Sequence, residues 1–403
     1  MVVFVNKKRY TYKCKVLKYY MEEKEFKNQF GELEIINDEK WGEFLSFCPN
    51  KLPPEIDFDK KLIFKLSEAE STLAKLSGVG LMLPNPDLLV KPYLRKEAVS
   101  SSRIEGTIIS LDEYFQSEVR QNETKNIDSN EVLNYIESIN YALKKLETDN
   151  IDIDLIKNMH KILMNNVRGK DKFPGEFRHV ANWISLPTEG PQDAHFVPPN
   201  HEKIDSLISD MIEYMDRYDG VPVLIKCAFM HYQFETIHPF CDGNGRIGRA
   251  LIILYLIKKN KMSKPLLYIS GFFEKYKSEY TGLLAEANKL GKFNNWILFF
   301  LEAIKVQSEE ALEKSVKLQK LKEDLRNKIQ KQTQNTSLLD IVDYLFINPY
   351  ITIKKVEKML NTSYPTAKRF VDILIEFNIL KQYGESKRDK MYKAVEILNI
   401  ISY

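Results

Sequence analysis

His238-Pro239-Phe240-Cys241-Asp242-Gly243-Asn244-Gly245-Arg246-Ile247-Gly248-Arg249 places a base, a carboxylate, a glycine-rich turn and two arginines directly ahead of the apolar run Ala250 to Ile257. Gly243 and Gly245 carry no Cβ, so the backbone around Asn244 can take left-handed conformations and aim several N–H groups at one point, which suits an anion. A helix is predicted to begin near Asn244, and the positive end of its dipole favours a phosphate at the same place. Arg246 and Arg249 fall near one another on its first turns and can fork onto phosphate oxygens. Asp242 has the wrong charge for a phosphate pocket unless a divalent cation lies between, and a hard carboxylate beside phosphates is the usual way of holding Mg2+. His238 suits a general base, because a free imidazole titrates near neutrality, at roughly 6.5. A structural loop has no reason to assemble this set, so the segment reads as a nucleotide-handling site. The apolar run behind it, ended by Lys258-Lys259, is too short to span a bilayer and reads as a buried central helix.

Length and composition agree with a multidomain cytoplasmic enzyme. At 403 residues the chain exceeds what one core normally supports, and 59 basic against 56 acidic residues leave a formal charge of only +3, so no global attraction to nucleic acid or membrane is expected. Cys14, Cys48, Cys227 and Cys241 show no CxxC spacing, which speaks against disulfides and zinc. His160, His179, His195, His201, His231 and His238 form no HExxH or HxxxH pair. At the start, Asn6-Lys7-Lys8-Arg9 follows a very short apolar run, the wrong order for a signal peptide.

Helical periodicity dominates the rest. Leu62 to Leu76 is predicted as a helix closed by Ser77-Gly78-Val79-Gly80, with a turn at Pro84-Asn85-Pro86; further helices are expected over Glu131–Leu146, Asp154–Leu163 and Phe272–Ala287. Another starts at Asn295-Trp296-Ile297, and a charged connecting helix runs from Glu302 to Gln334 with Ile304, Ala311, Leu318 and Leu325 seven apart. Residues 1–50 are mixed and carry no assignment. From Ser337 onward, helices over Leu338–Phe346, Ile353–Leu360 and Asn361–Phe377, then strands over Leu380–Tyr383 and Met391–Ala394, give the order of a winged helix-turn-helix. Lys368 and Arg369 on its third helix, with Lys387, Arg388 and Lys390 in the wing, are candidates for DNA phosphates, although such units also serve protein contacts. Between Phe173 and Pro199, closely spaced prolines and glycines punctuate two strand-like pieces, Val180–Ser185 and Ala194–Val197, which reads as a hairpin.

The segment 238–249 resembles, without a gap, the HPFx(D/E)GNGRxxR signature of Fic-domain proteins, with Cys241 and Ile247 at variable positions. Far upstream, Ser101-Ser102-Arg103-Ile104-Glu105-Gly106 is similar to the family's (S/T)xxxE(G/N) inhibitory motif, with Ser101, Glu105 and Gly106 in place. A Ser and a Glu four apart are commonplace in helices and would alone read as capping or solvated residues. The resemblance implies a mainly α fold: an N-terminal, mainly helical region (1–125) carrying the inhibitory motif, a Fic catalytic domain (126–300) with a β-hairpin flap at about 177–199, a connecting helix (301–336) and a C-terminal winged helix-turn-helix (337–403).

The same resemblance implies AMP transfer from ATP to a Ser, Thr or Tyr hydroxyl of a protein docked at the flap, with pyrophosphate leaving. His238 would be the base and Asp242 the Mg2+ ligand. The nucleotide site would comprise Gly243, Asn244, Gly245, Arg246, Ile247, Gly248 and Arg249, with Arg246 on the leaving pyrophosphate. Glu105 would compete with the γ-phosphate for Arg249 and so hold the enzyme off. The resemblance also puts the region around Lys275 and Tyr276 beside the adenine. Other readings stay open: a Fic enzyme that removes AMP or transfers another group, or a nucleotide-sensing, DNA-binding regulator. Candidate partners are the protein substrate, a second copy of the chain and DNA; no membrane is implied.

Overall fold

The computed structural model describes side chains over residues 26–27, 30–82, 85–120, 126–184, 190–385 and 389–402, plus the backbone of a short ladder pairing Phe4–Val5 (β1) with Lys8–Arg9 (β2). Pro84, residues 185–189 and the wing-tip residues Lys387 and Arg388 lie outside the described residues. The next elements are a hairpin, Gly31–Asp38 (β3) and Gly42–Pro49 (β4), followed by Lys60–Met82 (α1), Asp87–Ile104 (α2), Leu111–Val119 (α3), Ile127–Lys145 (α4) and Ile153–Leu163 (α5). Ile204–Asp216 (α6), Val223–Ile237 (α7), Asn244–Lys258 (α8), Ser270–Lys275 (α9) and Lys277–Leu290 (α10) complete the centre. A 40-residue helix, Phe293–Gln332 (α11), leads to the C-terminal unit: Ser337–Ile347 (α12), Tyr350–Thr352 (β5), Ile353–Leu360 (α13), Tyr364–Glu376 (α14), Lys381–Tyr383 (β6), Met391–Lys393 (β7) and Val395–Ser402 (α15).

The pair α7 and α8 forms the centre, and every residue of α8 from Asn244 to Leu256 is buried. A helix that is apolar all round must be enclosed, which settles where the rest of the chain packs. Trp296 of α11 is fully buried against α7 and donates its indole N–H to the Ala228 carbonyl at 2.9 Å. Trp296→Ala is expected to cost about 3–5 kcal/mol, through lost packing and a residual cavity, in denaturant unfolding.

Several boundaries differ from the sequence expectation for identifiable reasons. Helix α1 does not close at Ser77 but runs through Gly78 and Gly80, and the bare Cα of Gly80 lets Ser263 and Leu266 pack against it. Asn295 and Glu302 do not open separate helices: α11 is continuous, because Ile304, Ala311, Leu318 and Leu325 stay buried along one face. Phe272–Ala287 is instead two helices, interrupted where Tyr276 leaves helical geometry at φ −111° and ψ 36°. The hairpin β3–β4, strand β5 and helix α15 carried no expectation.

In the C-terminal unit the strands order β5-β7-β6, antiparallel throughout. Its apolar core is continuous with Leu76, Leu88, Tyr93, Phe115 and Leu318. Polar contacts reinforce the junction with α3: Asn348 donates to the Phe115 carbonyl at 3.0 Å and Tyr350 to Asp112 at 2.6 Å. Lys368, one of the candidates for DNA phosphates, is paired with Asp372 at 2.6 Å.

Candidate active site

The turn 238–243 joins two buried helices, and its shape is set by one left-handed residue at each end. His238 ends α7 at φ 48°, and Gly243 opens α8 at φ 78° with no side-chain cap. The first N–H groups of α8 are thus free of a capping oxygen, as an anion site requires. Gly245, by contrast, is ordinary helix. A Cβ there would run into the Glu105 carboxylate and lie 2.7 Å from an Arg249 nitrogen, so its absence is a matter of clearance and not of unusual dihedrals. Asn244 holds the turn through its side chain, accepting from the Phe240 N–H and donating to the Phe240 carbonyl, both at 2.8 Å. That occupies the amide and leaves Asn244 only its backbone N–H for a ligand. Ile247 sits in the core at 1% exposure, and a Cβ on Gly248 would press on Phe234 and the Glu235 carboxylate, so these two positions serve packing between α7 and α8.

The two arginines have opposite surroundings. Arg249 is fully buried and held through two of its nitrogens: Nε donates to Ser101 Oγ (3.0 Å), and Nη2 to the Ser101 carbonyl (2.9 Å) and to Glu105 Oε1 (2.6 Å). Arg246 is also buried, but its Nε and Nη1 have no hydrogen-bond partner, and its Nη2 only approaches Asp242 Oδ1 at 3.5 Å and the Met164 sulfur at 3.7 Å. Guanidinium N–H groups buried without acceptors are costly, and an anion would satisfy them. Asp242 is one-third exposed, accepts from the Gly243 N–H (2.7 Å) and pairs with Lys172 (3.0 Å). Burial raises the carboxyl of Asp242, but Lys172 and Arg246 outweigh it and hold the group ionised. No group of three or more His, Cys, Asp or Glu side chains among the described residues could enclose a metal. One exposed carboxylate beside unsatisfied phosphate donors nevertheless fits Mg2+, which is usually held by one or two carboxylates together with substrate phosphates.

His238 is enclosed, with Nδ1 3.3 Å from the Glu235 carbonyl, which leaves Nε2 as the free, proton-accepting nitrogen. Burial first, then the Arg178 charge, push its pKa down to about 4, so the ring is neutral throughout the physiological range and not merely near its midpoint. Glu105 caps α2 on the other side of the site. Burial raises its carboxyl, but the Arg249 charge and hydrogen bond, with Arg246 behind them, bring it below the ordinary carboxylate range. The helix carrying it is fixed. Gly106 reverses the chain at φ 96°, open only to glycine at low cost, and Lys277 donates to the Ile104 carbonyl at 2.5 Å. Glu97 accepts from the Ser270 N–H (2.9 Å) and Tyr135 (3.0 Å).

Two family models match consecutive stretches of the chain: the Fic/DOC family N-terminal model over residues 63–144 and the Fic/DOC family model over residues 150–256. Residues 63–256 thus carry a Fic/DOC region. It is 27% identical over 99 residues to a probable protein adenylyltransferase of Aquifex aeolicus, covering 25% of this chain and 31% of that one. It is 23% identical over 216 residues to the protein adenylyltransferase Fic of Nematostella vectensis, covering 51% of this chain and 47% of that one. The chain thus spans less than half the length of these curated relatives. Among solved structures, a Fic family protein from Desulfovibrio desulfuricans superposes with a TM-score of 0.56 at 16% identity over 85% of this chain and 98% of that one, a likeness of fold. No helix among the described residues is long and apolar enough to cross a membrane.

Within this Fic core the 177–199 segment is less of a hairpin than its punctuation suggested. One antiparallel bridge, Ile184 with Phe196, joins its two arms among the described residues. Both arms instead lean on the N-terminal hairpin: in the second, the Val197 carbonyl accepts from the Phe47 N–H of β4 at 2.9 Å, and in the first, Trp183 meets Trp41 edge to face at 5.3 Å. The first arm leaves Val180 and Ile184 nearly half exposed.

Three positions beside the turn escaped sequence reading. His160 accepts from the Gly175 N–H (2.9 Å), donates to the Asp242 carbonyl (3.0 Å) and stacks on Phe240 at 3.7 Å, bracing the Fic turn. Arg178 binds the carbonyls around His238. Glu235, three residues ahead of the base, is partly buried, with its enclosed Oε1 lacking a hydrogen-bond partner, 4.0 Å from His231 Nε2. Burial pushes its carboxyl up to about 7 in spite of Arg249 nearby. A carboxyl raised above its unfolded value of 4.5 binds more protons in the folded state, so it lowers stability as pH rises from about 4.5 through 7. Glu235→Gln is therefore expected to stabilise the protein by up to roughly 3 kcal/mol at pH 8 and by little at pH 4.5, measured by denaturant unfolding at both.

Proposed function

We propose that this chain transfers AMP from ATP to a hydroxyl of a protein target, itself included, and that Glu105 holds the reaction in check. One observation carries the reading: of two buried arginines on the same helix, Arg249 is held by Ser101 and Glu105 while Arg246 keeps two unpartnered guanidinium nitrogens. A triphosphate would satisfy Arg246 at once but needs Glu105 displaced to reach Arg249. The similarity to a probable protein adenylyltransferase of Aquifex and to the protein adenylyltransferase Fic of Nematostella supports the same reading.

In this mechanism the acceptor hydroxyl, carried on an extended segment of target laid along the open arm at 180–184, faces His238. Nε2 takes its proton as the oxygen attacks the α-phosphorus, the bond to the bridging α–β oxygen breaks, and pyrophosphate leaves toward Arg246. Asp242 would hold Mg2+ against phosphate oxygens, where the cation would offset charge. The backbone of Gly243, Asn244 and Gly245 lines the phosphates. With Glu105 on Arg249, ATP enters but its γ-phosphate is displaced and the α-phosphorus leaves the line of attack. The free thiols of Cys48, Cys227 and Cys241 accord with a reducing, cytoplasmic setting. Intact mass after incubation with Mg2+ and ATP tests the reaction class: an added AMP supports it, an added phosphate overturns it.

A further inference from the structure

Arg178 is 3% exposed, and no carboxylate among the described residues pairs with it. A buried charge without a counter-ion is expensive, and an apolar side chain would fill the same space without that cost. The guanidinium is instead committed wholly to backbone. Nε donates to the His238 carbonyl (2.9 Å), and Nη2 to the carbonyls of Ile237 (3.3 Å) and Pro199 (2.6 Å). Nη1 donates to the Val180 carbonyl (3.2 Å), while the Arg178 backbone N–H reaches the Pro239 carbonyl (2.8 Å). Three consecutive carbonyls of the turn, 237, 238 and 239, therefore end on one residue, together with one carbonyl from each arm of the 177–199 segment.

The turn so gripped is the place where His238 adopts φ 48°, a left-handed conformation that a residue with a Cβ adopts only where its surroundings enforce it. We propose that Arg178 is a positioning residue for the reaction: its five-point hold keeps His238 in the left-handed conformation that aims Nε2 at the acceptor, and ties that aim to the arm on which the target lies. Five donors in a rigid fork explain why arginine stands here, since a lysine has one nitrogen and cannot span the carbonyls of 180, 199, 237 and 238. The guanidinium donors of Arg178 end on backbone carbonyls, so its loss acts on orientation and not on ATP affinity.

The inference rests on the proposed AMP transfer, and its test separates the two. In a Glu105→Gly background, Arg178→Gln and Arg178→Lys are compared with the parent for AMP incorporation into target and for the 15N ring signals of His238. Both variants are expected to lower kcat about ten- to hundredfold with the KM for ATP within about twofold, since the groups binding phosphate are untouched. The His238 ring, held by the parent in the Nδ1–H form, is expected to give averaged signals from both tautomers in the variants. A folded Arg178→Lys or Arg178→Gln protein with the parent's kcat and ring signals overturns the proposal, as does a loss expressed only in KM. If the Glu105→Gly parent itself transfers no AMP, the functional reading fails, while the ring signals still decide whether Arg178 orients His238.

Discussion

Replacing Glu105 with glycine is expected to raise AMP incorporation by about 10²-fold or more over the unaltered chain, measured with α-labelled ATP. The substitution removes one acceptor from Arg249, the 2.6 Å contact with Nη2, and leaves Ser101 to hold the guanidinium in place through Nε and its own carbonyl. It should leave the helix intact, because the end of α2 is fixed by Gly106, Lys277 and the Glu97 contacts, none of which involve the Glu105 side chain. Glycine also suits the residue that caps a helix. The gain arises from geometry: a γ-phosphate on Arg249 draws the α-phosphorus into line, and a displacement of about 1 Å is enough to cost this much in rate. Glu105→Gln is expected to give a smaller rise, because an amide oxygen still accepts from Arg249 but without the charge assistance.

His238→Ala is expected to lower AMP transfer about 10³-fold in the Glu105→Gly background, with ATP binding preserved. The ring makes one contact through Nδ1, to the Glu235 carbonyl, and its burial with Arg178 nearby keeps it neutral down to about pH 4. A base already deprotonated at neutral pH loses nothing to protonation between pH 6 and 8, so the rate should be flat there in so far as this group governs it. On the acid side the histidine's contribution should fall only as pH approaches about 4, well below the 6.5 of a free imidazole. Equilibrium binding of ATP to the variant separates this from a folding defect, since the residues placed around the phosphates stay in position.

The central helix and its start at Asn244 were legible because each rests on chemistry that sequence displays, an apolar run and a glycine at the helix entrance, whereas the pairing of Arg249 with Glu105 was legible only through the resemblance of two motifs to a family. The individual duties within the turn were not. Asn244 looks like a phosphate ligand in sequence, but its amide is consumed by Phe240, and Gly245 looks like a conformational glycine when it serves clearance for Glu105. Arg178 was invisible as a functional residue since its acceptors are carbonyls, which every residue carries and no sequence distinguishes. His160 and Glu235 depend on contacts to residues 82 and 13 positions away or on a missing partner, neither of which a local pattern records. Among the helices, Gly78 and Gly80 suggested a stop that packing against Ser263 overrode. The hairpin β3–β4 did leave a trace, two eight-residue runs around Asp38–Gly42, but only its long-range pairing with Val197 gives it a place in the site.

The competition for Arg249 is tested most directly by incubating four proteins, the unaltered chain, Glu105→Gly, His238→Ala and the double variant, with ATP labelled at the α- or the γ-phosphate and Mg2+, and counting label fixed to protein. The account predicts strong α-label on Glu105→Gly alone, weak α-label on the unaltered chain, and γ-label on none. Equal α-label on the unaltered chain and Glu105→Gly, or α-label surviving in the double variant, would contradict it.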